Sequence, residues 1–264
     1  MKLPLLLCIS LIFSGSLLFA KNSQATQHIT QGISLFKAKQ FQRSFVLLKP
    51  YADQGYPKAQ FYIGLLYDMG SIDLMDKRKA VLWYRKAADQ GLPEAEYDMG
   101  VMYGKGEGIG KDLNLSVWWY QRAAAHGNAN AMYNLGVIYE QGHGRDQNLT
   151  QAISWYEKAS ALSMPKADYN LANLYYRGVH IPKNLSKAAS LYRQAAAGGH
   201  REAQFTLGYL LEHGLGITKD TEHAIYWYKE AAIEGHKAAR KNLGLLLQKR
   251  GEMKEAAFWL KRAK

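Results

Sequence analysis

Two serines precede a lysine by three residues, Ser34 with Lys37 and Ser163 with Lys166. At that spacing a lysine can take the serine proton, as in the acyl-transferring penicillin-binding enzymes and β-lactamases. Neither a Ser-Asp-Asn nor a Lys-Thr-Gly element accompanies the pairs, and two fixed positions in four recur by chance. Among the histidines, His143, His180 and His213 fall near successive loops at drifting offsets. A metal needs about three convergent ligands with supporting partners, which that drift does not provide. No glycine-rich phosphate loop follows a strand pattern. The expectation is therefore no catalytic residue, no metal and no cofactor.

Two other ladders suit recognition. Phe61, Tyr97, Tyr133, Tyr169 and Phe205 recur every 36 residues. The next position holds Asn134, Asn170 and Asn242, interrupted by Tyr62, Asp98 and Thr206. A side-chain amide offers a peptide backbone both a donor and an acceptor, and aromatic side chains anchor interfaces. The candidate partner-binding set is Tyr97, Tyr133, Asn134, Tyr169, Asn170, Tyr176, Phe205 and Tyr209. The aromatics also suit packing between repeats, and that alternative stands beside the first.

Charge adds a second candidate surface. The chain carries 34 basic and 22 acidic residues. Its last 29 residues hold nine basic against two acidic: Lys237, Arg240, Lys241, Lys249, Arg250, Lys254, Lys261, Arg262 and Lys264. Such a patch attracts anionic polymers, lipid head groups or an acidic partner through its field. It equally suits the polar cap that closes a repeat array.

The elements that carry these residues follow from a period of 36. Ala59, Ala95, Ala131, Ala167, Ala203 and Ala239 mark it, and five residues later stand Gly64, Gly100, Gly136, Ala172, Gly208 and Gly244. In the unit from Ala131 to Lys166, Ala131, Leu135, Ile138 and Tyr139 share one helical face. A glycine inside that helix costs roughly 1 kcal/mol against alanine, so its recurrence implies close helix approach. Gly142 and its equivalents Gly70, Gly106, Gly178 and Gly214 end the first helix. Asp76, Asp112, Asn148, Asn184 and Asp220 fit the N-cap of the second. Three Asn-x-Ser/Thr triplets, at Asn114, Asn148 and Asn184, are read as such caps rather than glycosylation sites. The second helix pairs large aromatics (Trp155-Tyr156 and equivalents) with alanines, and Gly91, Gly127, Gly199 and Gly235 close it. Ser163 takes that glycine slot in its unit.

The pattern A-x-x-x-L-G-x-x-Y-x-x-G, then D/N-x-x-x-A-x-x-W-Y-x-K-A-A, resembles the Sel1-like repeat, a relative of the tetratricopeptide repeat. The resemblance implies an all-α fold, a right-handed α-solenoid of helix-turn-helix Sel1-like repeats. Five 36-residue units span 59–238. A shortened sixth unit with the basic cap spans 239–264, its second helix running from Glu252 and including Trp259. Residues 21–58 read as a degenerate N-terminal repeat or cap.

Residues 1–20 have one lysine, a short apolar run and Ala20 at a polar boundary, the form of a cleaved signal peptide. The single cysteine, Cys8, lies within it, so the mature chain needs no disulfide. The expected protein is exported, periplasmic or extracellular, and bacterial. The resemblance implies a non-enzymatic scaffold that holds a peptide or protein in its concave groove. One alternative is envelope-polymer or membrane binding through the basic cap, with nucleic acid disfavoured. The other is a β-lactam- or cell-wall-interacting enzyme at Ser163.

Overall fold

The computed structural model describes residues 23–71, 75–143, 146–178 and 181–263. Residues 1–20, read above as an expected signal peptide, together with Cys8, His180 and Lys264 therefore lie outside the described residues. The described residues form helices and no strand. None of these helices is long and apolar enough to cross a membrane.

Two compact units divide the chain at Asn128. The first contains α1 (residues 23–37), α2 (Phe41–Asp53), α3 (Pro57–Asp68), α4 (Lys77–Ala88), α5 (Pro93–Lys105) and α6 (Leu113–Ala125). The second contains α7 (Ala129–Gln141), α8 (Leu149–Ala161), α9 (Pro165–Arg177), α10 (Leu185–Ala197), α11 (Arg201–His213), α12 (Thr221–Ile233), α13 (Lys237–Lys249) and α14 (Met253–Arg262). Odd-numbered helices are the first of each repeat and even-numbered ones the second. Within each unit every helix packs on its neighbours in sequence, the contact pattern of an α-solenoid.

The boundaries have local causes. Prolines open α3, α5 and α9, where the missing N–H is free of cost. Asp76, Asn148, Asn184 and Asp220 each accept from a backbone N–H at 2.9–3.0 Å. Asp112 accepts from both Asn114 and Leu115, at 2.9 Å each. Asn114 is thus the second residue of α6 and not its cap, because the aspartate two positions earlier already fills that place. Gly106, Gly178 and Gly214 terminate their helices at φ 66–76°, a conformation that costs a side-chain-bearing residue roughly 1–2 kcal/mol. Ser163 adopts it too, at φ 58°.

The core is one contact repeated. All six landmark alanines are fully buried. A Cβ added at Gly64, Gly100, Gly136 or Gly208 would lie 2.5–2.8 Å from the ring of Tyr84, Tyr120, Tyr156 or Tyr228 respectively. The small residue lets the two helices of a repeat approach until the tyrosine ring covers the backbone. The two ends of the array modify this contact alike. Gly32 meets Leu48 and Gly244 meets Leu260, sixteen residues on, against the twenty from Gly64 to Tyr84. Leucine replaces tyrosine, and the connection between helices loses one turn.

Candidate functional site

The aromatic ladder lies over the core tyrosines. Tyr97 on α5 stands 5.7 Å from the Tyr120 ring. In the second unit Tyr133, Tyr169 and Phe205 stand 5.8–5.9 Å from Tyr156, Tyr192 and Tyr228. Tyr169 and Phe205 also stack on His200 and His236, each at 4.4 Å. Those two histidines cap α11 and α13, with Nδ1 accepting from the N–H of Ala203 and Ala239. Burial lowers the pKa of both rings, which favours the neutral form, and the bond from the backbone N–H selects the tautomer with its proton on Nε2. Tyr176 packs edge-on against Tyr192 at 6.3 Å. All of these aromatics are half-buried.

The asparagine ladder is engaged inside the array. The Asn170 amide donates to the Tyr156 hydroxyl at 3.1 Å, and that hydroxyl donates to Glu140 at 2.6 Å. Asn242 donates to Tyr228 at 3.3 Å, and Tyr228 to Glu212 at 2.9 Å. Asn134 is half-buried on α7. The sequence period by itself does not disclose these chains from amide to phenol to carboxylate. Their signal is Glu140 and Glu212, each nine residues after its landmark alanine.

The first unit departs from this chain. Asp98 stands at the asparagine position, and the hydroxyl of the fully buried Tyr84 is raised in pKa by burial first and then by the carboxylates of Asp98 and Asp68. Burial, with Asp68 and Glu94 nearby, pushes the Asp98 carboxyl up to about 7, opposed by Lys105. A protonated Asp98 has the donor that the asparagine amide supplies elsewhere.

One cleft brings the two candidate sets together. About 440 Å³ in volume, it is lined by Tyr209, Glu212 and His213 of α11 and by Asn242, Leu245, Gln248 and Lys249 of α13. Tyr209 is 37% exposed and Leu245 42%. Leu245 follows Ala239 at the interval by which Tyr209 follows Ala203, so its register was available in the sequence.

The basic cap has several distinct roles. Arg240 Nε donates to the Ala232 carbonyl at 3.0 Å. Gln60 and Gln204, at the equivalent position, do the same toward Ala52 and Ala196. Arg250 pairs with Glu222 and Glu252, and Arg262 lies 3.6 Å over the Phe258 ring. Lys237 is an exposed residue opening α13. Lys241, Lys249, Lys254 and Lys261 are exposed and have no ion pair among the described residues. Ser163 and Lys166 are both exposed, and Ser163 serves the turn between α8 and α9. No cluster of three metal-ligating side chains occurs among the described residues.

Comparison with known proteins gives this architecture its relatives. None of the curated proteins matches the chain. A Sel1 repeat protein from Oxalobacter formigenes is 32% identical with a TM-score of 0.80, covering 89% of this chain and 98% of that one. A protective antigen of uropathogenic Escherichia coli with an SLR fold is 29% identical with a TM-score of 0.84. That alignment covers 92% of this chain, which spans only about half (54%) of the antigen. The immunity protein Pa5087 of Pseudomonas aeruginosa, 23% identical at a TM-score of 0.52 over 79% of this chain and 81% of its own, shares the fold. Sel1-repeat proteins are in general protein-binding, non-catalytic scaffolds. The Sel1 repeat model matches residues 57–92, 93–128, 129–164, 165–200 and 201–236, so this chain belongs to the Sel1-repeat family.

Proposed function

We propose that the protein is an exported, non-enzymatic scaffold that binds a peptide or protein along the odd-numbered helices of its second unit. The cleft between α11 and α13 is its anchoring point. The observation that carries this reading is the exposed Tyr209 and Leu245 flanking a cleft that also holds Lys249. Apolar surface surrounded by a few polar groups is the usual composition of a binding hot spot. Export rests on the character of residues 1–20. The half-buried aromatics Tyr133, Tyr169 and Phe205 extend the surface along α7, α9 and α11, while Asn170 supports it from beneath through Tyr156. Tyr97 supplies the corresponding aromatic in the first unit.

The double variant Tyr209→Ala/Leu245→Ala tests the proposal by affinity capture from the native host. Partner recovery should fall by about tenfold or more, since an interface anchor contributes roughly 1–2 kcal/mol or more. The melting temperature should change little, because both side chains are exposed. Undiminished recovery would place the partner elsewhere.

A further inference from the structure

The residue two positions before the buried tyrosine (or its leucine replacement) of each even-numbered helix varies between large apolar side chains and serine. In the first unit it is Val46 (two before Leu48), Leu82 and Trp118, exposed 65%, 62% and 47%. In the second unit it is Ser154 on α8 and Ser190 on α10, whereas α12 and α14 carry the exposed Tyr226 and Phe258 there. Tyr156 and Tyr192 are nonetheless as well buried as Tyr84. Serine therefore meets every packing requirement of this position, and three large apolar side chains in a row exceed what the fold needs.

Their surroundings define what would cover them. Lys49 of α2 lies 5.3 Å from the Trp83 ring of α4, and Arg85 of α4 lies 5.2 Å from the Trp119 ring of α6. The three helices thus stand side by side. Together they carry eight basic residues against Asp53 alone, whereas α3 and α5 carry two basic against four acidic. Lys86 lies 4.2 Å from the Trp83 ring, and Arg122 5.0 Å from the Trp118 ring. The apolar row is consequently bordered by cations; Lys49 and Arg122 are paired with Asp53 and Glu96, while Lys86 and Arg78 are exposed and in no ion pair among the described residues. Beside Trp118 opens a crevice of about 530 Å³ whose walls include Arg85, Tyr103 and Leu115.

Packed neighbouring helices lie about 8–10 Å apart, and a helix rises about 10.5 Å in seven residues. A helix laid across α2, α4 and α6 would meet one of these apolar side chains per heptad, and acidic residues on its flanks would face the cations. We propose that this face of the first unit docks an acidic amphipathic helix of a partner protein, with Val46, Leu82 and Trp118 as the anchors. This contact goes beyond the cleft in the second unit and does not depend on it.

The test uses the full chain and a labelled helical peptide with leucine at every seventh residue and glutamates on both flanks. A scrambled peptide of the same composition and phosphatidylglycerol vesicles serve as comparison probes. Fluorescence anisotropy should show the periodic peptide binding about tenfold tighter than the scrambled one. Leu82→Ser/Trp118→Ser, which installs the residue of α8 and α10, should remove that preference without shifting the melting temperature. If that variant fails to fold, Arg78→Glu/Lys86→Glu, at exposed positions, should weaken the peptide by a similar factor. Tyr209→Ala/Leu245→Ala should bind the peptide as the parent does. Equal binding of the two peptides, no binding of either, or binding to vesicles in place of the peptide would each overturn the proposal.

Discussion

Ser163 and Asp98 each occupy a place that another residue fills in the other repeats, and each departure has a measurable consequence. The Ser163 backbone lies at φ 58°, where Gly91, Gly127, Gly199 and Gly235 lie at 80–92° in the matching turns. Its serine side chain bears the strain of the left-handed region, so Ser163→Gly should raise stability by about 1 kcal/mol. Urea unfolding checks this, and an unchanged midpoint would mean the hydroxyl compensates. Asp98 titrates near 7 in the folded protein, against about 4 for an unperturbed aspartate. Because the folded value is raised, the penalty for ionising Asp98 is absent below about pH 4 and grows as pH rises to 7. Above that it is constant. Asp98→Asn removes the ionisation beside the buried Tyr84 and should stabilise the protein by roughly 2–4 kcal/mol at pH 8, with little effect at pH 4. Comparing urea midpoints of the two proteins at both pH values isolates this group from the others that titrate.

At the level of the helix pair, the contact between a small residue and a tyrosine ring sets the spacing. Gly136→Ala would place a methyl carbon 2.5 Å from Tyr156, and overpacking of this kind costs about 1–3 kcal/mol. Thermal melts should show the loss. Ala172 fills this position in its own repeat while remaining buried, so the cost reflects the fit of α7 on α8 and not a general ban on alanine. The sequence reveals the pairs because such contacts depend on residue type at a fixed interval. Alanine, glycine, cap and turn positions all have that property. What it did not reveal depends on which side chain reaches a donor first. Asn114 has the type of a cap, but Asp112 already receives the N–H of Asn114 and of Leu115. Asn170 and Asn242 have the type of peptide clamps, yet each amide reaches a tyrosine hydroxyl inside the array. Arg240 has the charge of an anion site but caps the Ala232 carbonyl. Composition and period carry the fold, whereas the site depends on these local competitions for hydrogen bonds.

Across the whole molecule, both proposed binding surfaces are built from exposed side chains that packing does not require. The even-numbered helices of the first unit carry an apolar row among cations. The second unit carries the cleft between α11 and α13, with exposed lysines on α13 and α14. Packing needs neither set of anchors, because serine serves at the first in α8 and α10, and Tyr209 and Leu245 of the cleft are exposed. The central claim is that a partner is held in that cleft. Its most direct test is a photo-crosslinking phenylalanine derivative placed at Leu245 and, separately, at the exposed Ile233 on α12 of the same unit, followed by irradiation in the native host. The account predicts a partner adduct from position 245 and none from 233. An adduct from 233 with none from 245 would contradict it.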